Sequence, residues 1–131
     1  MRIAQFSDSF LPIVDGVGRV VESYARTMAA RGHEVTVCAP KTEQTSPERD
    51  GYKMRTYNAF MVPGKRPDDI GFPRMDAVFG WRMRAVDLDS VHVHAPLMSG
   101  HAGIYEAKHR RIPVIGSFHS KYYDDFSQVL K

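Results

Sequence analysis

Glycines ahead of a helical segment and histidines at the ends of apolar runs are where this chain can do chemistry. In SDSFLPIVDGVGRVV, residues 7–21, Gly16 and Gly18 stand one residue apart just before an apolar-periodic segment. Glycines in that position let backbone N–H groups approach a phosphate, while the helix N-terminus adds partial positive charge. They can equally serve backbone geometry alone. In VHVHA, residues 91–95, a strand would place His92 and His94 on one face, the arrangement of a metal pair. A third ligand has to come from His101, His109 or His119, and no short motif supplies it, so no metal is expected. His94, nearer the strand end, is the better site candidate, and His92 reads as structural.

Other cofactor chemistries fail on the same residues. The dinucleotide fingerprint GxGxxG is here GVGRVV, without its third glycine, and Ala39, Pro40 and Lys41 stand where an acid would hold a ribose. The loop before Gly16 is also about eight residues too long for that motif. No GK[ST] follows, which excludes a phosphate-loop nucleoside triphosphatase. The basic clusters, Lys65 with Arg66, Arg82 with Arg84, and residues 108–111, lack interleaved aromatics, so nucleic acid is not an expected partner. A net charge of +3 over 131 residues reads as an ordinary solvated surface. Cys38, the single cysteine, lies in the apolar run EVTVCA as a buried thiol, which rules out an internal disulfide and suits a reducing compartment. There is no secretory signal and no run of transmembrane length, so a cytoplasmic chain is expected.

The positioning elements follow from periodicity. Residues 2–7 form a short buried strand. Val17, Val20, Val21, Tyr24, Ala25, Met28 and Ala29 fall at helical steps, and Arg31 and Gly32 end that helix. Residues 33–39 alternate and stop at Pro40, giving a parallel β-α-β unit. Residues 41–51 read as a polar loop, 52–60 as a third strand, and 61–71 as a long irregular loop. A helix is expected from Pro73, with Met75, Val78, Phe79, Met83 and Val86 on one apolar face. A strand over 90–95, a helix over 97–111 with Gly100, Ala102, Gly103 and Ala107 for close packing, and a strand over 113–118 complete the pattern. Residues 119–131 start a further helical or loop segment. Alternating strands and helices predict an open parallel α/β sheet with helices on both faces. Ligands of such sheets sit beyond the carboxyl ends of the strands, which here means the loops 8–18, 95–100 and 119–123.

The stretch SDSFLPIVDGVGRVVESYARTMAARGHEVTVCAP resembles the opening of family 4 glycosyltransferases, enzymes of the two-domain GT-B fold. VHVHAP and IPVIGSFHSKYYDDF resemble two later segments of the same domain, in the same order. The likeness is poorest over residues 41–84. It implies a Rossmann-like sheet forming the N-terminal, acceptor-side domain, with residues 1–131 a partial domain and the C-terminal donor-binding domain absent. It implies a retaining, metal-independent transfer of a sugar from a nucleotide-sugar, a substrate rather than a cofactor, to an acceptor hydroxyl, a lipid's among the candidates. Gly16, with Val17 and Gly18, matches the backbone that approaches the donor diphosphate. His119 in SFHS matches the histidine facing the donor sugar, which can donate a hydrogen bond to a sugar hydroxyl. Asp8, Asp15, His94, Ser120, Lys121 and Tyr122 fall on the acceptor side. Relatives of this kind sit peripherally on membranes, so contact with the inner face of the cell membrane is implied. The alternative is a non-catalytic α/β module that binds a phosphate ligand or a partner, or an inactive fragment.

Overall fold

A computed structural model describes residues 1–8, 16–41, 48–49, 51–61, 69–95, 97–117 and 119. The elements in chain order are β1 (Arg2–Phe6), α1 (Gly16–Ala30), β2 (Glu34–Pro40), β3 (Glu48–Arg49), β4 (Tyr52–Tyr57), β5 (Ala59–Met61) and β6 (Asp69–Gly71). A 3₁₀ turn (Pro73–Met75), α2 (Ala77–Arg84), β7 (Ser90–Val93), α3 (Met98–Arg110) and β8 (Val114–Gly116) follow. The main sheet has the order β3-β4-β2-β1-β7-β8. Strands β4, β2, β1, β7 and β8 are parallel, and β3 is an antiparallel edge on β4. The order of the parallel strands is that of a Rossmann-like sheet, and its reversal point lies between β1 and β7.

Period-two alternation gives the sheet two apolar faces. Ala4, Phe6, Cys38, Tyr57, Val91 and Val93 pack with Phe79 and Met83 of α2 and with Ala102 and Ala107 of α3. On the other face Val35, Val37, Ala39, Tyr52 and Met54 meet Val21 and Ala25 of α1. The Phe79 ring stands edge-on to both Phe6 and Tyr57, with centroids 6.4 and 5.4 Å apart. Each such contact adds about 0.5–1.5 kcal/mol to simple burial. Cys38 is buried with its Sγ 3.8 Å from Met83 Sδ, and burial pushes its thiol pKa up, away from nucleophilic use.

Helix α1 stops where the sequence says it must. Gly32 adopts φ +91°, its N–H donates to the Ala29 carbonyl, and the His33 N–H donates to the Met28 carbonyl. That paired closure requires the left-handed conformation glycine takes at least cost. Several expectations need correction. The stretch expected as a polar loop carries β3, the strand expected over 52–60 is divided into β4 and β5, and the loop expected over 61–71 ends in β6, which pairs antiparallel with β5. The helix expected from Pro73 is broken at Asp76, whose carboxylate accepts from the Phe79 N–H at 3.0 Å and caps α2. Met75 and Val78 are therefore 84% and 58% exposed, and the buried face of α2 narrows to Phe79 and Met83. Gly16 and Gly18 lie inside the first turn of α1 rather than in a turn ahead of it.

Candidate functional site

The carboxyl edge of the parallel sheet gathers the chain's polar buried groups. β1 ends into Ser7 and Asp8, β7 into His94 and Ala95, and β8 into Ser117 and His119. Because β1-α1-β2 and β7-α3-β8 are parallel units, α1 and α3 both begin at this edge. Tyr57, at the end of β4, donates from its hydroxyl to the Ser7 carbonyl at 2.8 Å, which ties the exit of β1 to the sheet. Burial raises the Tyr57 pKa, so the phenol stays protonated and able to donate.

The N-termini of α1 and α3 are arranged differently. Asp8 Oδ1 accepts the Ser99 N–H at 3.1 Å and Asp8 Oδ2 accepts the Ser99 hydroxyl at 2.7 Å. A carboxylate from across the reversal point thus caps α3 and occupies its anion-favouring end. Burial raises the Asp8 pKa, while the two bonds from Ser99 work in the opposite direction. The first turn of α1, Gly16-Val17-Gly18-Arg19, contains no acidic residue and opens at the same edge. Gly18 is buried within it.

Three histidines meet beside the β1-β7 junction. His94 is fully buried, with Nε2 on Gln5 Oε1 and Nδ1 3.0 Å from His119 Nε2. The His94 and His119 rings are stacked, with centroids 5.3 Å apart and 12° between planes. His92 lies 4.0 Å from His94, ring to ring, and its Nε2 is 2.7 Å from the Ser117 hydroxyl. Tyr24 of α1 covers both, with centroids 5.3 Å from His92 and 5.8 Å from His94. Burial, then the neighbouring His92 and His119, hold the His94 pKa down to about 3, and burial also lowers that of His92. The pair reads as two neutral rings at neutral pH. Among the described residues no group of three His, Cys, Asp or Glu side chains is placed to hold a metal ion.

Of the residues singled out from the sequence, His94 and His119 come into direct contact, and Asp8 lies at the same edge but spends its carboxylate on Ser99. Gly16, Val17 and Gly18 open α1 at that edge, and α1 rises roughly 12 Å from Gly16 to the ring-covering Tyr24. Asp15, Ser120, Lys121 and Tyr122 lie outside the described residues. Gln5, Tyr24, Ser99 and Ser117 escaped the sequence reading. Gln5 alone carried a signal, as a polar residue inside the apolar strand RIAQF.

No helix among the described residues is long and apolar enough to cross a membrane. The sequence profile of Glycosyltransferase Family 4 matches residues 14–131. The alpha-monoglucosyldiacylglycerol synthase of Acholeplasma laidlawii is 32% identical over 131 residues, covering 100% of this chain and 33% of that protein. The GDP-mannose-dependent alpha-mannosyltransferase of Mycolicibacterium smegmatis is 33% identical over 126 residues, covering 90% of this chain and 32% of that protein. The synthase of Streptococcus pneumoniae with the same name as the first is 25% identical over 133 residues, covering 100% of this chain and 29% of that protein. The chain spans about a third of the length of the curated relatives it matches. With a Rossmann-like sheet and a cluster of polar groups at its carboxyl edge already in place, the profile match identifies the chain as a member of Glycosyltransferase Family 4.

Proposed function

We propose that this chain supplies the acceptor-side domain of a retaining, metal-independent hexosyltransferase that moves a sugar from a nucleotide-sugar to a hydroxyl of a lipid acceptor. The single observation that carries this reading is the meeting of His94 and His119 at the strand edge where α1 begins. The N–H groups at the very start of α1, Gly16 and Val17, and the α1 dipole offset negative charge on the departing diphosphate. His119 fixes the sugar so that its anomeric carbon faces the acceptor. In the transfer, the bond from the anomeric carbon to the diphosphate oxygen breaks and a bond to the acceptor oxygen forms on the same face. The acceptor's proton leaves with the diphosphate oxygen. No side chain becomes covalently attached to the sugar.

A lipid acceptor is supported by the names of two relatives, which are diacylglycerol-lipid synthases. It is also supported by the outer surface of α2. Trp81 is 71% exposed there, with Met75, Val78, Arg74, Arg82 and Arg84 nearby and also exposed. Apolar and basic groups together favour an anionic membrane surface, such as the inner face of the cell membrane.

The test is a hybrid in which these residues replace the matching third of the Mycolicibacterium mannosyltransferase. Transfer of labelled mannose from GDP-mannose is expected, and His119→Ala is expected to reduce its turnover at least ~100-fold with folding intact. Transfer unaffected by His119→Ala would refute the reading.

A further inference from the structure

Gln5 is a fully buried amide in the middle of β1, and its surroundings leave it one orientation. Its Nε2 lies 3.8 Å from Met28 Sδ, a thioether that can only accept, so the NH₂ group faces Met28 and the carbonyl oxygen faces His94. An amide oxygen can only accept, and His94 Nε2 must therefore carry a proton and donate it. His94 is kept neutral by burial and by the His92 and His119 rings, so its Nδ1 is a bare lone pair. The contact at 3.0 Å then has one polarity: His119 donates from Nε2 to His94 Nδ1. Each step fixes the next, from Met28 through Gln5 and His94 to His119.

We propose that Gln5 and His94 are positioning residues that hold the His119 imidazole with a proton on Nε2, so that its Nδ1 meets a hydroxyl of the sugar or acceptor as a hydrogen-bond acceptor. The proposal rests on the sugar-transfer reading of this edge and refines it. With its Nε2 proton committed to His94, His119 turns Nδ1 toward the ligand and receives a hydroxyl's hydrogen bond there. A bare nitrogen is also a poor neighbour for an anionic phosphate oxygen, which leaves the diphosphate to the amides of α1. The stacking of the two rings and the burial of His94 hold the His119 plane as well as its tautomer.

Imidazole ¹H–¹⁵N long-range spectra of the 131-residue chain at neutral pH test this without any transfer assay. The expected result is a protonated Nε2 and a bare Nδ1 on both His94 and His119, with a through-hydrogen-bond coupling from His119 Nε2 to His94 Nδ1. A proton on His94 Nδ1, or a bare Nε2 on His119, overturns the proposal. Gln5→Leu is expected to abolish the coupling and leave His94 averaging between tautomers. Persistence of the coupling in Gln5→Leu removes Gln5 from the proposal. In the hybrid enzyme, Gln5→Leu is expected to lower kcat about 10-fold with the donor KM within about twofold. A loss of kcat in Gln5→Leu with the His94–His119 coupling intact would mark a merely structural residue. An intact relay in an enzyme whose transfer ignores His119 would instead sink the sugar-transfer reading itself.

Discussion

Glycine-to-alanine substitution should have opposite signs in α2 and α3, because the two helices meet the sheet differently. At Gly100 an added Cβ would lie 2.0 Å from the Ala95 carbonyl oxygen, and at Gly103 it would lie 2.4 Å from Val93 Cγ1 and 3.1 Å from Phe6 Cγ. At Gly80 it would meet nothing within 4 Å. Alanine in a helix interior gains about 0.8–1 kcal/mol over glycine. That gain stands alone at Gly80, so Gly80→Ala should stabilise by about 0.5–1 kcal/mol. At Gly103 overpacking against a stiff valine and an aromatic ring costs about 1–3 kcal/mol, for a net loss of about 0–2 kcal/mol. At Gly100 the obstacle is backbone in the connection from β7 to α3, which cannot rotate aside, and the net loss should reach about 2–3 kcal/mol. The gap between Gly80→Ala and Gly100→Ala is then about 3 kcal/mol, or roughly 10 °C in Tm for a domain of this size. Urea and thermal melts of the three variants measure it. A Gly100→Ala protein that melts at or above the parent would refute the close seating of α3, and with it the placement of Ser99 and His94 at the reversal point.

Asp8→Ala should destabilise by about 1–3 kcal/mol, because it strands the Ser99 N–H and hydroxyl, whereas Asp8→Asn keeps an acceptor and should stay within about 0.5 kcal/mol by denaturant melts. The raised Asp8 pKa means its contribution is complete with the proton on and fades as pH rises through the folded value, so the parent should lose ground to Asp8→Asn on moving from acid to neutral pH. His94 works with the opposite sign: its folded pKa is depressed to about 3, so the unfolded chain takes up a proton near pH 6.5 that the native ring refuses. Stability should fall as pH drops from about 6.5 toward 3, by up to ~1.4 kcal/mol per unit, and the His94 ring should not titrate by NMR above about pH 4. Trp81→Ser should weaken flotation with anionic phosphatidylglycerol vesicles at least ~5-fold and leave the melting curve unchanged, since the indole is mostly exposed.

Much of the scaffold was legible because its elements carry strong periods. The helical spacing from Val17 to Ala29, the alternation in EVTVCAP and SVHV, and the small residues of α3 all correspond to observed packing. Gly32 marked the end of α1 through a conformation that side chains rarely adopt. The parallel order followed from short β-α-β connections, and the rule that ligands sit at carboxyl edges pointed to the loops 8–18, 95–100 and 119–123, where Asp8 and His119 are found. The two- and three-residue strands β3, β5 and β6 are too short to show any period. Asp76 broke the helix expected from Pro73 because a side-chain cap outweighs a weak apolar stripe. The His94–His119 contact joins residues whose adjacency arises only when β8 pairs with β7, and Gln5 reaches His94 across the β1-β7 pairing. Those are tertiary facts with no local pattern.

On the proposed function, the first turn of α1 and the His119 ring serve one ligand. Titrating the ¹⁵N-labelled chain with GDP-mannose and UDP-glucose, and following the Val17 and Gly18 amides together with the His119 imidazole, tests it most directly. These signals should move together along one weak, roughly millimolar isotherm for at least one donor. Movement confined to the groove that Trp81 and Arg84 of α2 line with Tyr105 and Arg110 of α3, or two groups responding with different affinities, would contradict this.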